Sequence, residues 1–353
     1  MKNLLRFGWD QSRQEHFNTL NTQLSAGRVT SVRGFKYLLA TEAGELETEL
    51  SGRLLFENEN ENLPKVGDWV LYQDYDTMGY IIELLPRTNA LSRKSAGSKF
   101  EKQILAANID YALIVQGLDR DFNLMRLERY IVQISACGIN PVIVLNKADL
   151  VDDPQVFRLE VEKLKRDAPV FLCSTVTGDG LHKIVDTIFT PGKTCVLIGS
   201  SGVGKSTLLN RIMTADIQET GSVSDANSKG RHTTTTRDLF LLTNGALLID
   251  TPGMREFGVT FEENAVEGNL FPEITKLAEA CRYNDCRHIE ENGCAVLAGL
   301  ENGSLDAIVY DSYIKLLKEQ KRFQITADEK KRMNKQFGKI TREANDYRKK
   351  YKF

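Results

Sequence analysis

The stretch TCVLIGSSGVGKSTLLNRIM, residues 194–213, decides the fold of the central part of the chain. An apolar run precedes a glycine-rich loop and an apolar-periodic segment follows it, which predicts a strand, a loop and a helix. The loop fits the pattern G-x-x-x-x-G-K-[ST] in full. Such loops turn backbone N–H groups and a helix N-terminus toward phosphates. Lys205 is expected to reach the β- and γ-phosphates, and Ser206 to ligate Mg²⁺. The predicted phosphate-binding residues are Gly199, Ser200, Ser201, Gly202, Val203, Gly204, Lys205, Ser206 and Thr207.

A second phosphate element is predicted in LLIDTPG, residues 247–253. Asp250 ends an apolar strand and is placed to hold Mg²⁺ through water. Gly253 is placed to offer its N–H to the γ-phosphate. A Pro-Gly turn alone is a moderate signal, because such turns occur in many contexts. Downstream of a complete phosphate loop, it becomes a specific one.

Between these elements lies the threonine loop, SKGRHTTTTRD, residues 228–238. Its composition suits a segment that becomes ordered when a threonine contacts Mg²⁺ and γ-phosphate, and Thr234 or Thr235 is the favoured contact. Ras-like enzymes orient water with a Gln after the DxxG element, but this chain has Met254 there. His232 is therefore the nearest polar candidate for a catalytic role. An ordinary polar surface loop is the alternative interpretation.

The motif NKAD, residues 146–149, follows the buried strand PVIVL and predicts a guanine-binding loop. The Asp149 carboxylate can accept from guanine N1–H and the 2-amino group, a pair that adenine does not present. Asn146 is expected to brace the loops and contact the purine edge, and the Lys147 stem to lie against the ring. Ser174 and Thr175 are expected to brace the base and offer a backbone N–H to its carbonyl. The predicted base-binding residues are Asn146, Lys147, Ala148, Asp149, Ser174 and Thr175.

The order of these motifs along the chain is unusual, because the base-reading motif precedes the phosphate loop. Alternating apolar strands and amphipathic helices predict a mainly parallel sheet, with ligand loops at the carboxyl ends of its strands. A fold can be cut and rejoined where its termini lie close together. The pattern therefore predicts a circularly permuted, Ras-like P-loop GTPase domain.

The flanking regions differ in pattern from this central domain. Five short β-type runs between Gly27 and Pro86 predict a small β-barrel, with an OB-fold as one candidate. The polar, basic segment 87–103 is typical of a linker or a mobile loop, and the chain after about residue 260 has a helical pattern. The predicted fold class is multidomain α/β. The predicted divisions are an extension at 1–25, an OB-fold at 26–90, the GTPase domain at 91–260 and a helical zinc-binding domain at 261–353.

The segment CRYNDCRHIEENGC, residues 281–294, predicts a metal site. Three thiols and one imidazole match a closed tetrahedral Cys₃His zinc site, with no position left for a reactive water. One structural zinc per chain is therefore expected. The predicted ligands are Cys281, Cys286, His288 and Cys294. Unconnected residues in a helical region are the alternative.

Composition bounds the setting in which the chain works. The 353 residues contain 41% hydrophobic and 27% charged residues, as in soluble globular proteins. No apolar run is long enough to span a bilayer, and the N-terminus lacks a signal-peptide pattern, so a cytoplasmic protein without membrane association is expected. The net charge of −2 conceals a basic segment, because residues 313–353 contain 14 Lys and Arg against 5 Asp and Glu. This asymmetry indicates a polyanionic partner or, alternatively, a solvated helix.

Taken together, the motif order, GRHTTTT, DTPGMREFG and CRYNDCRHIEENGC resemble the circularly permuted bacterial GTPases of the RsgA (YjeQ) family. The resemblance covers nearly the whole chain. It implies an N-terminal OB-fold, a permuted GTPase domain and a C-terminal zinc-binding domain. It also implies binding to the 30S ribosomal subunit and its 16S rRNA, subunit-stimulated hydrolysis of GTP to GDP, and a late role in subunit maturation. The family's zinc pattern falls on the four residues named above, its proposed histidine falls on His232, and Met254 fits its lack of Gln.

Two other functions compete with this interpretation. One is a P-loop NTPase, such as a kinase or RNA-modifying enzyme, that acts on another RNA or a small substrate. The other is a constitutive RNA-binding module with a vestigial nucleotide site, against which the complete phosphate loop argues. A monomer is expected, since the sequence has no long heptad run. Lys94, Lys99 and Lys102 are expected to add phosphate contacts to RNA.

Overall fold

The computed structural model describes residues 2–57, 63–75, 78–94, 102–164, 167–220, 238–250 and 271–323. The chain divides into two compact units, one made of residues 1–94 and 102–260 and the other of 95–101 and 261–353. Within the described part of the chain, every helix is too short or too polar to cross a bilayer. The finer division at residues 26, 91 and 261 stays a prediction.

The N-terminal segment forms two helices, α1 (Lys2–Arg6) and α2 (Gln11–Thr19). The sequence predicted only a polar extension here, and α2 indeed buries none of its residues. The segment is instead held by Leu4 and by Trp9, which are buried against apolar residues of the barrel. The Trp9 ring packs edge-on against Trp69 with centroids 4.8 Å apart. A few isolated apolar contacts, rather than a periodic face, therefore attach it.

The following segment forms the predicted five-stranded barrel. Its elements are β1 (Ser25–Arg33), β2 (Lys36–Thr41), β3 (Gly44–Leu50), α3 (Gly52–Glu57), β4 (Trp69–Asp74) and β5 (Gly79–Leu84). Neighbouring strands pair antiparallel in the order β3–β2–β1–β4–β5, and a parallel β3–β5 pairing closes the circle. A closed five-stranded barrel of this kind is the OB-fold architecture. Alternate side chains fill its core, among them Val29, Leu39, Val70 and Ile81.

A two-stranded hairpin follows the barrel where the sequence predicted a linker. Its strands are β6 (Ala90–Lys94) and β7 (Lys102–Ala107). The prediction was wrong for the start of this segment, because residues 90–94 form a strand in which Leu91 is buried. Residues 95–101 lie outside the described part of the chain.

The central sheet is the predicted mainly parallel one. Its strands are β8 (Tyr111–Gly117), β9 (Asn140–Asn146), β10 (Val170–Leu172), β11 (Thr194–Ile198), β12 (Asp238–Leu241) and β13 (Leu247–Asp250). They lie in the order β10–β9–β8–β11–β13–β12, and only β12 is antiparallel to its neighbour in this group. Ser31 of β1 pairs with Asp238 of β12, so the barrel continues directly into this sheet.

Helices connect these strands and cover the sheet. They are α4 (Leu124–Ala136), α5 (Pro154–Glu162), α6 (Leu181–Ile188) and α7 (Lys205–Thr220), together with a 3₁₀ turn at Ala148–Leu150. Asn123 and Asp153 cap α4 and α5 by accepting from backbone N–H groups in the first turn. Apolar residues of β8, β9 and β11 pack with those of α6 and α7 in one core. That packing fixes the strand ends from which the predicted binding loops emerge.

A buried arginine joins the barrel to the central sheet. Arg28 of β1 is 2% exposed, and burial lowers the pKa of its guanidinium. It donates hydrogen bonds to Phe7 O, Gly67 O, Asn108 O and Thr194 Oγ1. Thr194 begins β11, the strand that leads into the phosphate loop. The guanidinium therefore ties the barrel to the base of that strand.

The second unit is helical in its described part. It contains α8 (Pro272–Ala278), α9 (Ala295–Glu301) and α10 (Ala307–Phe323). Phe271 and Tyr313 pack edge-on with ring centroids 5.4 Å apart. Ile274, Val296, Leu305 and Val309 are buried. Among the described residues of this unit, the buried core is small.

Candidate nucleotide-binding site and zinc centre

The predicted binding motifs meet at one edge of the central sheet. The parallel registers align the carboxyl ends of β8, β9, β10, β11 and β13, which end at Gly117, Asn146, Leu172, Ile198 and Asp250. The chain runs outward from β8 to β10 and then returns to β11 on the other side of β8. Such a switch point leaves a crevice beyond the strand ends, where α/β proteins bind ligands. The loops converge there although the chain visits them in a permuted order.

The phosphate loop has the backbone geometry that its glycines allow. Gly199 has φ +148°, and a Cβ added there would lie 2.2 Å from the carbonyl oxygen of Val115. Gly204 has φ +96°, and its added Cβ would lie 2.3 Å from Asn146 Nδ2. Only glycine fits both positions without displacing a neighbour. The glycine spacing of the motif thus has a steric cause in the neighbouring strands.

The predicted phosphate-binding side chains stand around this loop. Lys205 begins α7, and its Nζ donates to Gly199 O at 2.7 Å and to Ser200 O at 2.5 Å. The ammonium group therefore lies over the loop, where the motif predicts the β- and γ-phosphates. Ser206 and Thr207 are exposed in the first turn of α7, and Val203 is buried beneath the loop.

Asn146 connects the three predicted loops from below. Its side chain is fully buried, and its Nδ2 donates to Val203 O of the phosphate loop at 2.8 Å and to Thr175 Oγ1 at 3.3 Å. Its Oδ1 accepts from Thr175 N at 3.0 Å. The predicted bracing role is what this geometry supports. Because one side chain bonds both the phosphate loop and the 173–181 loop, it sets their spacing.

Ser174 and Thr175 shape the 173–181 loop through hydrogen bonds. The backbone N–H of Ser174 donates to Asp179 O, and that of Thr175 donates to Asn146 Oδ1. Ser174 Oγ accepts from Val176 N and Thr177 N, which fixes the turn. Both residues therefore shape the loop from within, and their contact with guanine stays a prediction.

Arg211 of α7 was not found by the sequence analysis. Its Nε donates to Thr175 O at 3.1 Å and its Nη2 to Val176 O at 3.0 Å. The helix that carries Lys205 thus also holds the loop predicted to face the base. No short motif contains an arginine six residues beyond the phosphate-loop lysine, so the sequence offered no signal for it.

The remaining base-reading residues lie at the end of β9. Lys147 adopts a left-handed backbone conformation with φ +64°, and Ala148 N donates to Cys173 O at 3.1 Å. Asp149 is exposed in the 3₁₀ turn, as a carboxylate that meets a ligand should be. Burial, with a smaller contribution from Asp149, raises the pKa of the Cys173 thiol to about 12. Cys173 therefore stays protonated, and its buried side chain packs in the core as a small apolar residue.

Four predicted residues cannot be placed. His232, Thr234, Thr235 and Gly253 lie outside the described part of the chain. Asp250 is described, and it stands opposite Asp238 at the carboxyl end of β13. The parallel β11–β13 register brings Asp250 to the edge from which the phosphate loop emerges. That position and the exposed Ser206 are compatible with shared Mg²⁺ binding.

The four predicted zinc ligands are gathered in the second unit. Their ligand atoms all lie within 4.8 Å of one another. His288 Nδ1 is 3.6 Å from Cys281 Sγ and 3.4 Å from Cys294 Sγ, and the two Sγ atoms are 3.9 Å apart. Zinc–sulfur bonds of about 2.3 Å place tetrahedral ligands roughly 3.8 Å apart, so the group fits zinc. Burial lowers the pKa of His288, which favours the neutral imidazole that binds metal.

Two further contacts orient these ligands. Tyr310 OH donates to His288 O at 2.7 Å, and Cys294 Sγ accepts from Leu297 N at 3.5 Å. His288 has φ +58°, in the left-handed region of the backbone. Hydrogen bonds of this outer kind commonly hold metal ligands in place.

Comparisons with known proteins agree with this geometry. A family model described as RsgA GTPase matches residues 84–260. A model described as ABC transporter matches residues 182–341, a span that contains the phosphate loop common to many nucleotide-binding families. Small ribosomal subunit biogenesis GTPase RsgA 1 of Bacteroides thetaiotaomicron is 39% identical over 97% of this chain and 96% of its own. The RsgA of Syntrophotalea carbinolica is 42% identical over 89% and 88% of the two chains.

Solved structures give the same result. YjeQ from Thermotoga maritima aligns with a TM-score of 0.63 and 26% identity, covering 84% of this chain and 98% of that one. YloQ, a circularly permuted GTPase, aligns with a TM-score of 0.60 and 28% identity, covering 85% and 96%. The permuted motif order, the strand order around the crevice and the nearly full-length similarity lead to one assignment. The chain belongs to the RsgA GTPase family of circularly permuted GTPases.

Proposed function

We propose that this protein binds GTP in the crevice at the carboxyl edge of its central sheet, hydrolyses it to GDP and phosphate, and assists late maturation of the small ribosomal subunit. The observation that carries the nucleotide part is Asn146, which joins the phosphate loop to the base-reading loops through hydrogen bonds of 2.8 and 3.0 Å. The ribosomal part rests on the names of the relatives, which are small ribosomal subunit biogenesis GTPases.

In this proposal the chain's residues divide the work between phosphate and base. Lys205 exchanges its two carbonyl acceptors for phosphate oxygens and offsets the charge that grows on them during hydrolysis. Asp149 accepts from the guanine edge, so that ATP leaves its carboxylate unpaired. Ser206, directly, and Asp250, through water, would hold Mg²⁺, which would neutralise charge on the bound phosphates. Thr234 or Thr235, Gly253 and His232 are proposed to complete the γ-phosphate end, with His232 orienting the attacking water.

The permutation has a consequence for how hydrolysis is coupled to release. Asp250 ends the last strand of the central sheet, and the chain then continues into the second unit, which includes residues 261–353. In this chain the base-reading motif comes before the phosphate loop, so it does not lie between Asp250 and the second unit. We infer that loss of the γ-phosphate changes the segment after Asp250 and loosens the grip of the flanking domains on RNA.

The partners and cofactors follow from the same proposal. The 30S subunit and its 16S rRNA are the proposed macromolecular partners, contacted by the barrel, the second unit and its basic C-terminal segment. One structural zinc is proposed for the Cys281, Cys286, His288 and Cys294 group, which has the spacing of a tetrahedral site. The protein is proposed to act in the cytoplasm as a monomer.

The test is GTP hydrolysis with and without purified 30S subunits, using 50S subunits and ATP as controls. We expect marked stimulation by 30S subunits alone. Lys205→Ala should abolish turnover. The matched variant Lys193→Ala removes a lysine paired with Asp110 at the opposite edge of the sheet and should leave turnover intact. Stimulated turnover in Lys205→Ala would contradict the assigned phosphate site. Absence of stimulation by 30S subunits would contradict the proposed role at the small ribosomal subunit. GTP consumption only with an added phosphate acceptor would favour a P-loop enzyme acting on another substrate.

A further inference from the structure

We propose that Asp119 is a positioning residue for guanine-nucleotide binding, because it holds the Lys147 side chain as a preformed wall of the base pocket. The inference rests on the proposed GTP site and adds to it a residue outside the NKAD motif. Asp119 lies two residues beyond the end of β8, the strand between the phosphate strand β11 and the base-reading strand β9.

The Asp119 carboxylate is held at both oxygens. Its Oδ2 lies 2.5 Å from Lys147 Nζ, and its Oδ1 accepts from Asp121 N at 3.0 Å. The hydrogen bond from Asp121 N fixes the Asp119 carboxylate within its own turn. The ion pair therefore holds the Lys147 side chain in place against a carboxylate that is already fixed. The hydrogen bond from Lys147 lowers the pKa of Asp119, so the carboxylate stays charged at neutral pH.

The Lys147 stem lies where the motif predicts contact with a purine ring. A Cβ added to Gly117 would be 3.3 Å from Lys147 Cδ and 3.1 Å from Asp119 Oδ1. The stem therefore runs along the glycine that ends β8, in a space that a larger residue would fill. Leu118 N also donates to Asn146 O at 2.8 Å, which ties the Asp119 turn to the start of the NKAD motif.

This arrangement affects binding through preorganisation. A free lysine side chain loses much rotational freedom when it is laid against a ligand. Here Asp119 imposes that order before the nucleotide arrives, so binding costs less. The Lys147 and Asp119 side chains are 25% and 29% exposed. Water therefore screens the ion pair, and the expected effect is moderate.

The experiment compares wild type with Asp119→Asn and Asp119→Glu. Affinities for fluorescently labelled GDP and GTP are measured at equilibrium, and kcat and KM are measured separately. Asp119→Asn should weaken binding of both nucleotides by about three- to fivefold, as expected for loss of a partly exposed ion pair. The kcat at saturating GTP should stay unchanged, since γ-phosphate chemistry lies elsewhere. Asp119→Glu, which keeps the charge, should bind more tightly than Asp119→Asn.

The matched control is Glu47→Gln, which removes a lysine–carboxylate pair on the barrel surface. It should not change nucleotide affinity. Equal affinities in wild type and Asp119→Asn would overturn the inference, as would a fall in kcat with unchanged KM. A wild-type protein that binds no guanine nucleotide would instead refute the proposed function itself, so the two failures are distinguishable.

Discussion

Replacement of Asn146 tests whether the nucleotide site is built as one connected unit. Asn146→Ala removes the donor to Val203 O and the acceptor for Thr175 N, at hydrogen-bond distances of 2.8 and 3.0 Å. Both partner residues are buried, with exposed fractions of 1% and 4%. Each buried group left unsatisfied costs on the order of 1–3 kcal/mol. We therefore expect the free energy of unfolding to fall by about 3 kcal/mol.

Thermal unfolding with and without GDP measures this effect. A loss of about 3 kcal/mol corresponds to a fall in Tm of roughly 6–12 °C for a unit of this size. GDP raises the Tm of any protein that binds it in the native state, and this rise should disappear in Asn146→Ala. Asn146→Asp keeps an acceptor for Thr175 N but sets an oxygen against Val203 O, so it should be at least as damaging.

Asn140→Ala is the matched control, because Asn140 lies at the other end of β9 and makes an exposed hydrogen bond to Asp110 O. Its Tm should change by no more than about 2 °C, as for most surface substitutions. If Asn146→Ala lost GDP binding but melted like the wild type, Asn146 would act only on the base. The reasoning from a shared buried hydrogen-bond centre would then be refuted.

Three further predictions concern the phosphate-loop glycine Gly199, the buried thiol of Cys173 and the proposed zinc ligand Cys286. Gly199→Ala should weaken GTP binding by about tenfold or more in a nucleotide titration, because its Cβ would lie 2.2 Å from Val115 O; unchanged affinity would contradict the close backbone approach. Burial raises the pKa of Cys173 to about 12 from 9.0, so the folded state keeps a proton that the unfolded state loses. Stability should therefore decline as pH rises from 9 toward 12, by about 1 kcal/mol per pH unit for this thiol, and Cys173→Ala should show a smaller decline in melts at pH 8.5 and 10. Metal analysis of Cys286→Ser should find about one zinc fewer per chain, and the second unit should unfold. GDP binding should be retained. Loss of GDP binding in the same variant would show that the two units are not independent.

The local motifs were the part of the site that could be predicted from the sequence. The phosphate loop, NKAD and the Cys/His cluster each use residues a few positions apart, and their chemistry depends on that spacing. The βαβ pattern then predicted that the strand-end loops would share one edge. The barrel was predicted from five short runs, but its parallel β3–β5 closure was not, since strand pairing depends on contacts between distant residues.

Sequence reasoning failed where a residue's role is set by a distant partner. The N-terminal segment was expected to be a polar extension, because attachment through Trp9 and Leu4 leaves no periodic signal. The hydrogen bonds from Ser174 N to Asp179 O and from Thr175 N to Asn146 Oδ1 were not predicted either, because no short motif encodes them. Asp119 and Arg211 were missed because Lys147 and the 173–181 loop, which they contact, lie about thirty residues away in sequence.

By itself, the sequence determined which chemical groups this protein presents: a phosphate loop, a predicted guanine-reading motif and a Cys/His group predicted to bind metal, each encoded by short-range spacing. The tertiary structure alone decided how these parts are connected. It made Asn146 the centre that joins loops 57 residues apart, and it tied the barrel to the phosphate strand through Arg28. Short motifs encode reactive groups because their atoms must lie within one turn or loop. Their alignment depends on strand register and close packing, which bring together residues whose separation along the chain carries no signal.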